Sequence, residues 1–233
     1  MKLDLSPFHM NPSRAETLEQ LARLCRNGRE DAPARIEPSG SANLDAVLPG
    51  GGWQAGTIVE LMPVCDGIGE LRLLMPALAK ITHSERHVAM IAPPYIPFAP
   101  ALLQHGIRLE HFWIIRAQTA TDILWSTEQT LRCKSFGAVL TWPVTIRDRE
   151  VRRLQLAAEA GSSIGFVYRP AAAALEASPA AVRLRLQRNA RRGLSVDVIK
   201  CRGARGGISI EIETTHASGA PLEPIIESAA VAE

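Results

Sequence analysis

Residues 39–74 read SGSANLDAVLPGGGWQAGTIVELMPVCDGIGELRLL, and the layout of this stretch decides the fold. A Leu44-Asp45 pair leads into three consecutive glycines, Gly50, Gly51 and Gly52, with a fourth at Gly56. Thr57–Leu61 is β-branched and apolar apart from Glu60, which predicts a short buried strand. A loop holding Gly67 and Gly69 follows. Apolar residues at helical spacing then predict a helix over Ile68–Ile81 despite Pro76. A glycine-rich turn, strand, loop and helix in that order open a parallel α/β unit.

The alternation continues downstream. Strands are predicted at His87–Ala92, Phe112–Arg116, Phe136–Trp142 and Ser163–Tyr168. Helices are predicted at Phe98–Gln104, Asp122–Lys134 (with Thr121 or Asp122 near the cap) and Asp148–Ala160. Strands alternating with helices of this length imply a mostly parallel sheet with helices on both faces. The pattern then changes. Val182–Gln187, Leu194–Cys201 and Ile208–Glu213 alternate apolar and polar residues, and the joining runs NARRG and RGARGG carry hairpin glycines. The α/β core therefore runs into C-terminal antiparallel strands. Upstream, residues 1–12 read as an irregular arm and 13–27 as a helix with a Ser13/Glu16 capping box. Residues 28–43 read as a linker. The organisation is an arm, helix and linker over 1–43, a core over 44–213, and a flexible acidic tail over 214–233.

The loop after the first core strand has the position of a phosphate-binding loop, G-x-x-x-x-G-K-[ST], but not its chemistry. There the backbone amides cradle phosphates, the Lys reaches their oxygens and the hydroxyl holds Mg²⁺. Here the run Met62 to Gly69 puts Met62 at the first glycine, Gly67 at the second, Ile68 at the lysine and Gly69 at the hydroxyl. Asp66 stands inside the loop, where its charge would repel a triphosphate. In the ATPase core of RecA and its relatives, which this layout resembles, two acids complete the chemistry: a metal-linked acid would end the strand Ala138–Leu140, and Thr141-Trp142-Pro143 stands there. A water-activating acid would follow the strand at 87–92, and Pro93-Pro94-Tyr95 stands there. Three parts of the ATP chemistry are missing together, so no catalytic residues and no cofactor are expected.

The Leu-Asp, the glycine cluster, the strand and the loop together resemble the entry into the ATPase core of RecA and its relatives. With its degenerate loop, LPGGGWQAGTIVEL followed by PVCDGIGELRLL resembles the ImuA family. These are RecA-like proteins associated with damage-induced translesion DNA synthesis and related to the division inhibitor SulA. The resemblance implies a non-catalytic cytoplasmic accessory protein of SOS mutagenesis. Its implied partners are an ImuB-like, polymerase-related protein and an error-prone DnaE-type polymerase, with RecA and single-stranded DNA as further candidates. The alternative is a SulA-type inhibitor that binds a tubulin-like division GTPase. The antiparallel C-terminal part looks more like ImuA than the shorter SulA. A nucleotide sensor and a stand-alone DNA-binding protein are further alternatives.

The 233-residue chain carries a formal charge of only +2, but unevenly. Residues 1–120 are net −1, 121–210 net +8 and 211–233 net −5. Residues 183–205 hold eight basic groups, Arg183, Arg185, Arg188, Arg191, Arg192, Lys200, Arg202 and Arg205, against the single acid Asp197. Arginine forks beside flexible glycine turns suit phosphate contact, and the absence of aromatic residues there would make it backbone-led and salt-sensitive. The competing reading is a solvated face that protects an edge hairpin. Candidate partner-binding residues are Trp53 in its glycine-rich loop, Leu18 and Leu21 on the N-terminal helix, and Leu222, Ile225 and Ile226 in the tail. Four dispersed cysteines read as free thiols, and no apolar run is long enough to cross a membrane.

Overall fold

A computed structural model describes residues 35–190, 193–203 and 206–213. Its centre is an eight-stranded sheet. In chain order its strands are β3 (Thr57–Pro63), β4 (His87–Ile91), β5 (Phe112–Ile115), β6 (Phe136–Thr141), β7 (Ile164–Tyr168), β8 (Val182–Arg188), β9 (Leu194–Cys201) and β10 (Ile208–Ile212). The spatial order is β10-β9-β8-β3-β7-β6-β4-β5. The six strands from β8 to β5 pair in parallel, and β9 and β10 continue the sheet antiparallel. This is the mostly parallel sheet with antiparallel C-terminal strands that the hydrophobic pattern implied.

Five helices cover the two faces. Helices α1 (Ala42–Asp45), α2 (Met75–His83) and α3 (Ala99–Gln104) contribute Leu44, Leu78, Ile81 and Leu102 to one core, with Val59, Leu61, Phe166, Leu184 and Val196 from the sheet. Helices α4 (Ala120–Arg132) and α5 (Asp148–Gly161) contribute Ile123, Leu131, Val151 and Leu154 to the other core, with Ile58, Ile91 and Val139. Neighbours such as Ile58 and Val59 fall in different cores because successive strand residues point to opposite faces. A sheet buried on both sides needs the near-continuous apolar runs seen at Thr57–Pro63 and Phe136–Thr141.

Several boundaries differ from the sequence expectation. Helix α2 begins at Met75, not Ile68, with Pro76 in its first turn, where a missing N–H costs nothing. Residues 64–74 form turns instead. Helix α4 is capped by Thr119, whose hydroxyl accepts the Asp122 N–H at 3.1 Å and donates to Asp122 Oδ2 at 2.7 Å. The end of the expected linker is ordered against the core. Strand β1 (Ile36–Glu37) pairs antiparallel with β2 (Trp53–Gln54), and the Ser39 N–H donates to Asp45 Oδ1 at 2.8 Å. The glycine cluster makes that return possible, with Gly50 and Gly51 both at positive φ. Among the cysteines, Cys65 and Cys201 are free, whereas Cys133 is disulfide-bonded, against the expectation of four free thiols. No helix among the described residues is long and apolar enough to cross a membrane.

Candidate functional site

Parallel strands deliver their following loops to one end of the sheet, and in open α/β sheets ligands bind there. The loops after β3, β4, β6 and β7 converge at that end around a cleft of about 980 Å³. Its walls include Asp66, Glu70, Pro93, Trp142, Tyr168 and Arg169. Among the described residues, no group of three or more His, Cys, Asp or Glu side chains is placed to hold a metal ion.

The loop after β3 is the wrong shape and charge for a triphosphate. Ile68, at the lysine position, is only 6% exposed and packs into the core beside Leu73 and Leu74. Gly67 adopts φ +74, a left-handed turn that suits glycine, and its N–H donates to Glu70 Oε1 at 3.1 Å. A loop amide that a phosphate would need is therefore held by the chain's own carboxylate. Asp66 is exposed at the lip. At the end of β6, Thr141 is buried, and its hydroxyl shares a 2.9 Å hydrogen bond with that of Thr127 on α4. After β4 come two prolines and an exposed Tyr95. These residues do not fit a magnesium nucleotide.

Beneath the cleft lies a charge network that the sequence pattern did not expose. Glu60, fully buried on β3, accepts from Arg169 at 3.0 Å and from the Ser178 hydroxyl at 2.7 Å through Oε1. Its Oε2 accepts from Arg183 Nε at 2.7 Å. Arg183 also donates to the carbonyls of Glu176 and Ala173, both at 2.6 Å. Arg169 reaches Glu176 at 2.7 Å as well. A buried charge survives only when paired and hydrogen-bonded, and here every charged member is. The network ties β3 and β8 to the connection over 169–178, which forms one wall of the cleft. One signal was present in the sequence: Glu60 stands inside the apolar run TIVELMP and therefore requires a buried partner, whereas Arg183 in VRLRLQR is patterned like the exposed Arg185.

Two buried polar atoms on residues that line the cleft have no such partner. Tyr168 is 4% exposed, and its hydroxyl makes no hydrogen bond among the described residues; nor does Glu70 Oε2, also buried. Burial, and then the negative charge of Glu70, push the Tyr168 hydroxyl's pKa up, so it stays protonated. The Tyr168 ring stacks on Trp142 at 4.4 Å and 10°. Large apolar side chains of the cleft wall stand exposed, with Val64 at 48%, Tyr95 at 71% and Val144 at 74%.

The sequence-derived candidates fare unevenly. Trp53 is 1% exposed and meets Phe166 edge-on at 5.4 Å, so it is a core residue and not a partner contact. The β1–β2 pairing supplies the cover that a glycine-rich loop by itself seemed to lack. Arg183 is buried in the Glu60 network and unavailable to DNA. Arg185 and Arg188 are exposed. Lys200 donates to the Ser178 carbonyl at 2.7 Å, and Arg202 is exposed. These four do not form one patch. β8 pairs in parallel with β3 so that Leu186 lies beside Pro63, at the cleft end, whereas Val182 pairs with Cys201 at the opposite end. Arg188 and Arg202 therefore sit at opposite ends of a seven-residue strand, about 20 Å apart. Arg191, Arg192, Arg205, Leu18, Leu21, Leu222, Ile225 and Ile226 lie outside the described residues.

No protein-family model matches the chain. It is similar to curated proteins named cell division inhibitor SulA. The one from Pectobacterium atrosepticum is 29% identical over 134 residues, 57% of this chain and 79% of the relative. The one from Yersinia pseudotuberculosis is 25% identical over 166 residues, 71% and 84% respectively. The one from Photorhabdus laumondii is 26% identical over 112 residues, and there the match spans 63% of the relative, under two thirds of its length. This likeness supports the SulA relatedness that the sequence resemblance implied. In each pair the match takes a larger share of the relative, so this chain is the longer.

Proposed function

We propose that this chain is a non-catalytic, RecA-like accessory protein of the DNA-damage (SOS) response that works by binding other proteins. The observation that carries this reading is the rebuilt nucleotide position. The lysine position is a core isoleucine, Glu70 occupies a loop amide, and the cleft mouth is ringed by exposed apolar side chains. The finer reading is mutagenic translesion synthesis, with an ImuB-like protein and a DnaE-type polymerase as partners. The antiparallel β9–β10 extension and the greater length of this chain than its SulA relatives support that reading.

A second reading, SulA-type inhibition of a tubulin-like division GTPase, is favoured by the names of the similar proteins. One pair of measurements separates the two. Deleting the gene and scoring damage-induced mutation frequency tests the first; overexpression and measurement of cell length tests the second. Lost mutagenesis without filamentation is expected for the translesion role. Filamentation with unchanged mutagenesis would overturn it in favour of division inhibition. In either case the purified protein should hydrolyse no ATP above background, and turnover that is lost on Gly67→Ala would sink the non-catalytic reading.

A further inference from the structure

The cleft specifies what kind of group a partner would insert, and this step rests on the reading that the chain acts by binding proteins. Its two open valences are a carboxylate oxygen, Glu70 Oε2, and the hydroxyl of Tyr168. A carboxylate oxygen accepts only, so the missing group is a hydrogen-bond donor. The phenol oxygen can accept from the same donor. The charge balance agrees. Asp66 and Glu70 are both acidic, and the one cation on the cleft wall among the described residues, Arg169, is committed to Glu60 and Glu176. An anion would find only repulsion here. Much of the rest of the lining is apolar, proline and aromatic surface, with Pro93, Pro94, Pro143 and Pro170 near the stacked Trp142 and Tyr168. Such walls suit the aliphatic stem of a long basic side chain and add attraction for its charged head.

We propose that the cleft is a receptor for one basic side chain, an arginine or a lysine, presented by an otherwise apolar segment of a partner protein. The basic head sits between Glu70 Oε2 and the Tyr168 hydroxyl. The flanking apolar residues of the segment lie on the exposed rim of Val64, Tyr95 and Val144.

The test uses the full chain and three tripeptides blocked at both ends: Leu-Arg-Leu, Leu-citrulline-Leu and Leu-Glu-Leu. Citrulline keeps the shape of arginine and removes its charge. Amide NMR shifts are followed on titration. The arginine peptide is expected to move the Gly67, Glu70 and Tyr168 signals and to bind at least about tenfold more tightly than the citrulline peptide, the increment of a charge-assisted hydrogen bond. The glutamate peptide is expected not to bind. Glu70→Gln should erase the preference for arginine over citrulline. Tyr168→Phe should weaken binding while leaving thermal stability unchanged or raised, because its hydroxyl is unpartnered; this second variant keeps the test decisive if Glu70→Gln folds poorly. Equal binding of arginine and citrulline peptides, or shifts confined to other surfaces, overturns the proposal. The functional reading fails separately: a deletion strain with normal mutagenesis, in an organism that does not filament on overexpression, defeats it whatever the peptides do.

Discussion

Glu60→Ala should be the most damaging single substitution in the sheet, and the network gives its magnitude. Glu60 is fully buried, and the Arg183 and Arg169 side chains are 4% and 8% exposed. Removing the carboxylate strands a guanidinium in the interior. Breaking a buried ion pair from one side costs about 3–5 kcal/mol. Arg169 keeps Glu176, so its share of the loss is small. Arg183 keeps two backbone carbonyls but no counter-charge, so it carries most of the cost. Urea unfolding is the assay, and with a slope of about 2–3 kcal/mol/M the midpoint should fall by roughly 1–2 M. The sharper check is a cycle. Arg183 already touches the Met62 sulfur at 3.8 Å, so Arg183→Met has an apolar place to lie. Glu60→Leu with Arg183→Met replaces the pair by hydrocarbon and should be far milder than Glu60→Leu alone, with a coupling of about 2 kcal/mol. A single-variant cost below about 1 kcal/mol, or additive behaviour in the cycle, would refute the view that this charge pair anchors β8 to β3.

Other expectations follow from the same geometry. Ile68→Lys with Gly69→Thr restores the lysine and hydroxyl of the consensus loop on paper, yet it should destabilise the protein by roughly 2–4 kcal/mol, because the side chain at 68 points into the core; ATP-dependent thermal stabilisation of that variant would contradict the placement of Ile68. His87 accepts from the Trp113 indole at 3.2 Å and lies 3.4 Å from His111. Burial, then the neighbouring His111, lower its pKa from 6.5 to about 4. The unfolded chain therefore takes up this proton first, and stability should fall as pH drops from about 6.5 toward 4. A denaturation midpoint in His87→Gln that falls as steeply over that window would remove His87 as the cause. If single-stranded DNA is held at the cleft end of β8, Arg185→Ala with Arg188→Ala should lower affinity and reduce the salt slope by about two contacts. An unchanged slope would count against DNA contact by this strand.

The fold was legible because its signals are local. Apolar runs of strand length, helical periodicity and glycine-rich turns all sit in contiguous sequence, and each survived packing except the periodicity over 68–74. What failed was whatever depended on distant chain. Trp53 looked uncovered because its cover, β1, comes from the preceding segment that composition marked as linker. Arg183 looked like a partner of Arg185, since alternate strand residues share a face. That inference gives direction only; whether a face is open depends on the 170–180 connection folding over part of it. The start of α2 was misplaced because apolar periodicity in 68–74 serves core insertion of Ile68, Leu73 and Leu74 from turns, and a proline in the first turn marks the true start. The Tyr168–Glu70 pair was invisible, since neither residue type nor spacing announces an unpaired valence.

The same topology explains why losing nucleotide chemistry would free this end of the molecule for partners. Strand ends in a parallel sheet leave loops whose backbone is not consumed by the ladder, so a concavity persists there whatever fills it. In this chain the filling is internal at the loop amide, where the Gly67 N–H donates to Glu70, and unfinished at the buried Tyr168 hydroxyl and Glu70 Oε2, which make no hydrogen bond among the described residues. Exposed aromatic and branched side chains around a concave mouth mark an interaction surface and cost solubility when left bare. Unsatisfied buried polar atoms likewise cost stability in the free protein. Both costs fall on the same end of the sheet, and both would be relieved by one apolar segment bearing a donor. A variant that relieves them without a partner, such as Tyr168→Phe with Val144→Ser, should therefore be more soluble, no less stable and weaker in partner binding. Gain in all three properties together would break the link between this surface and function.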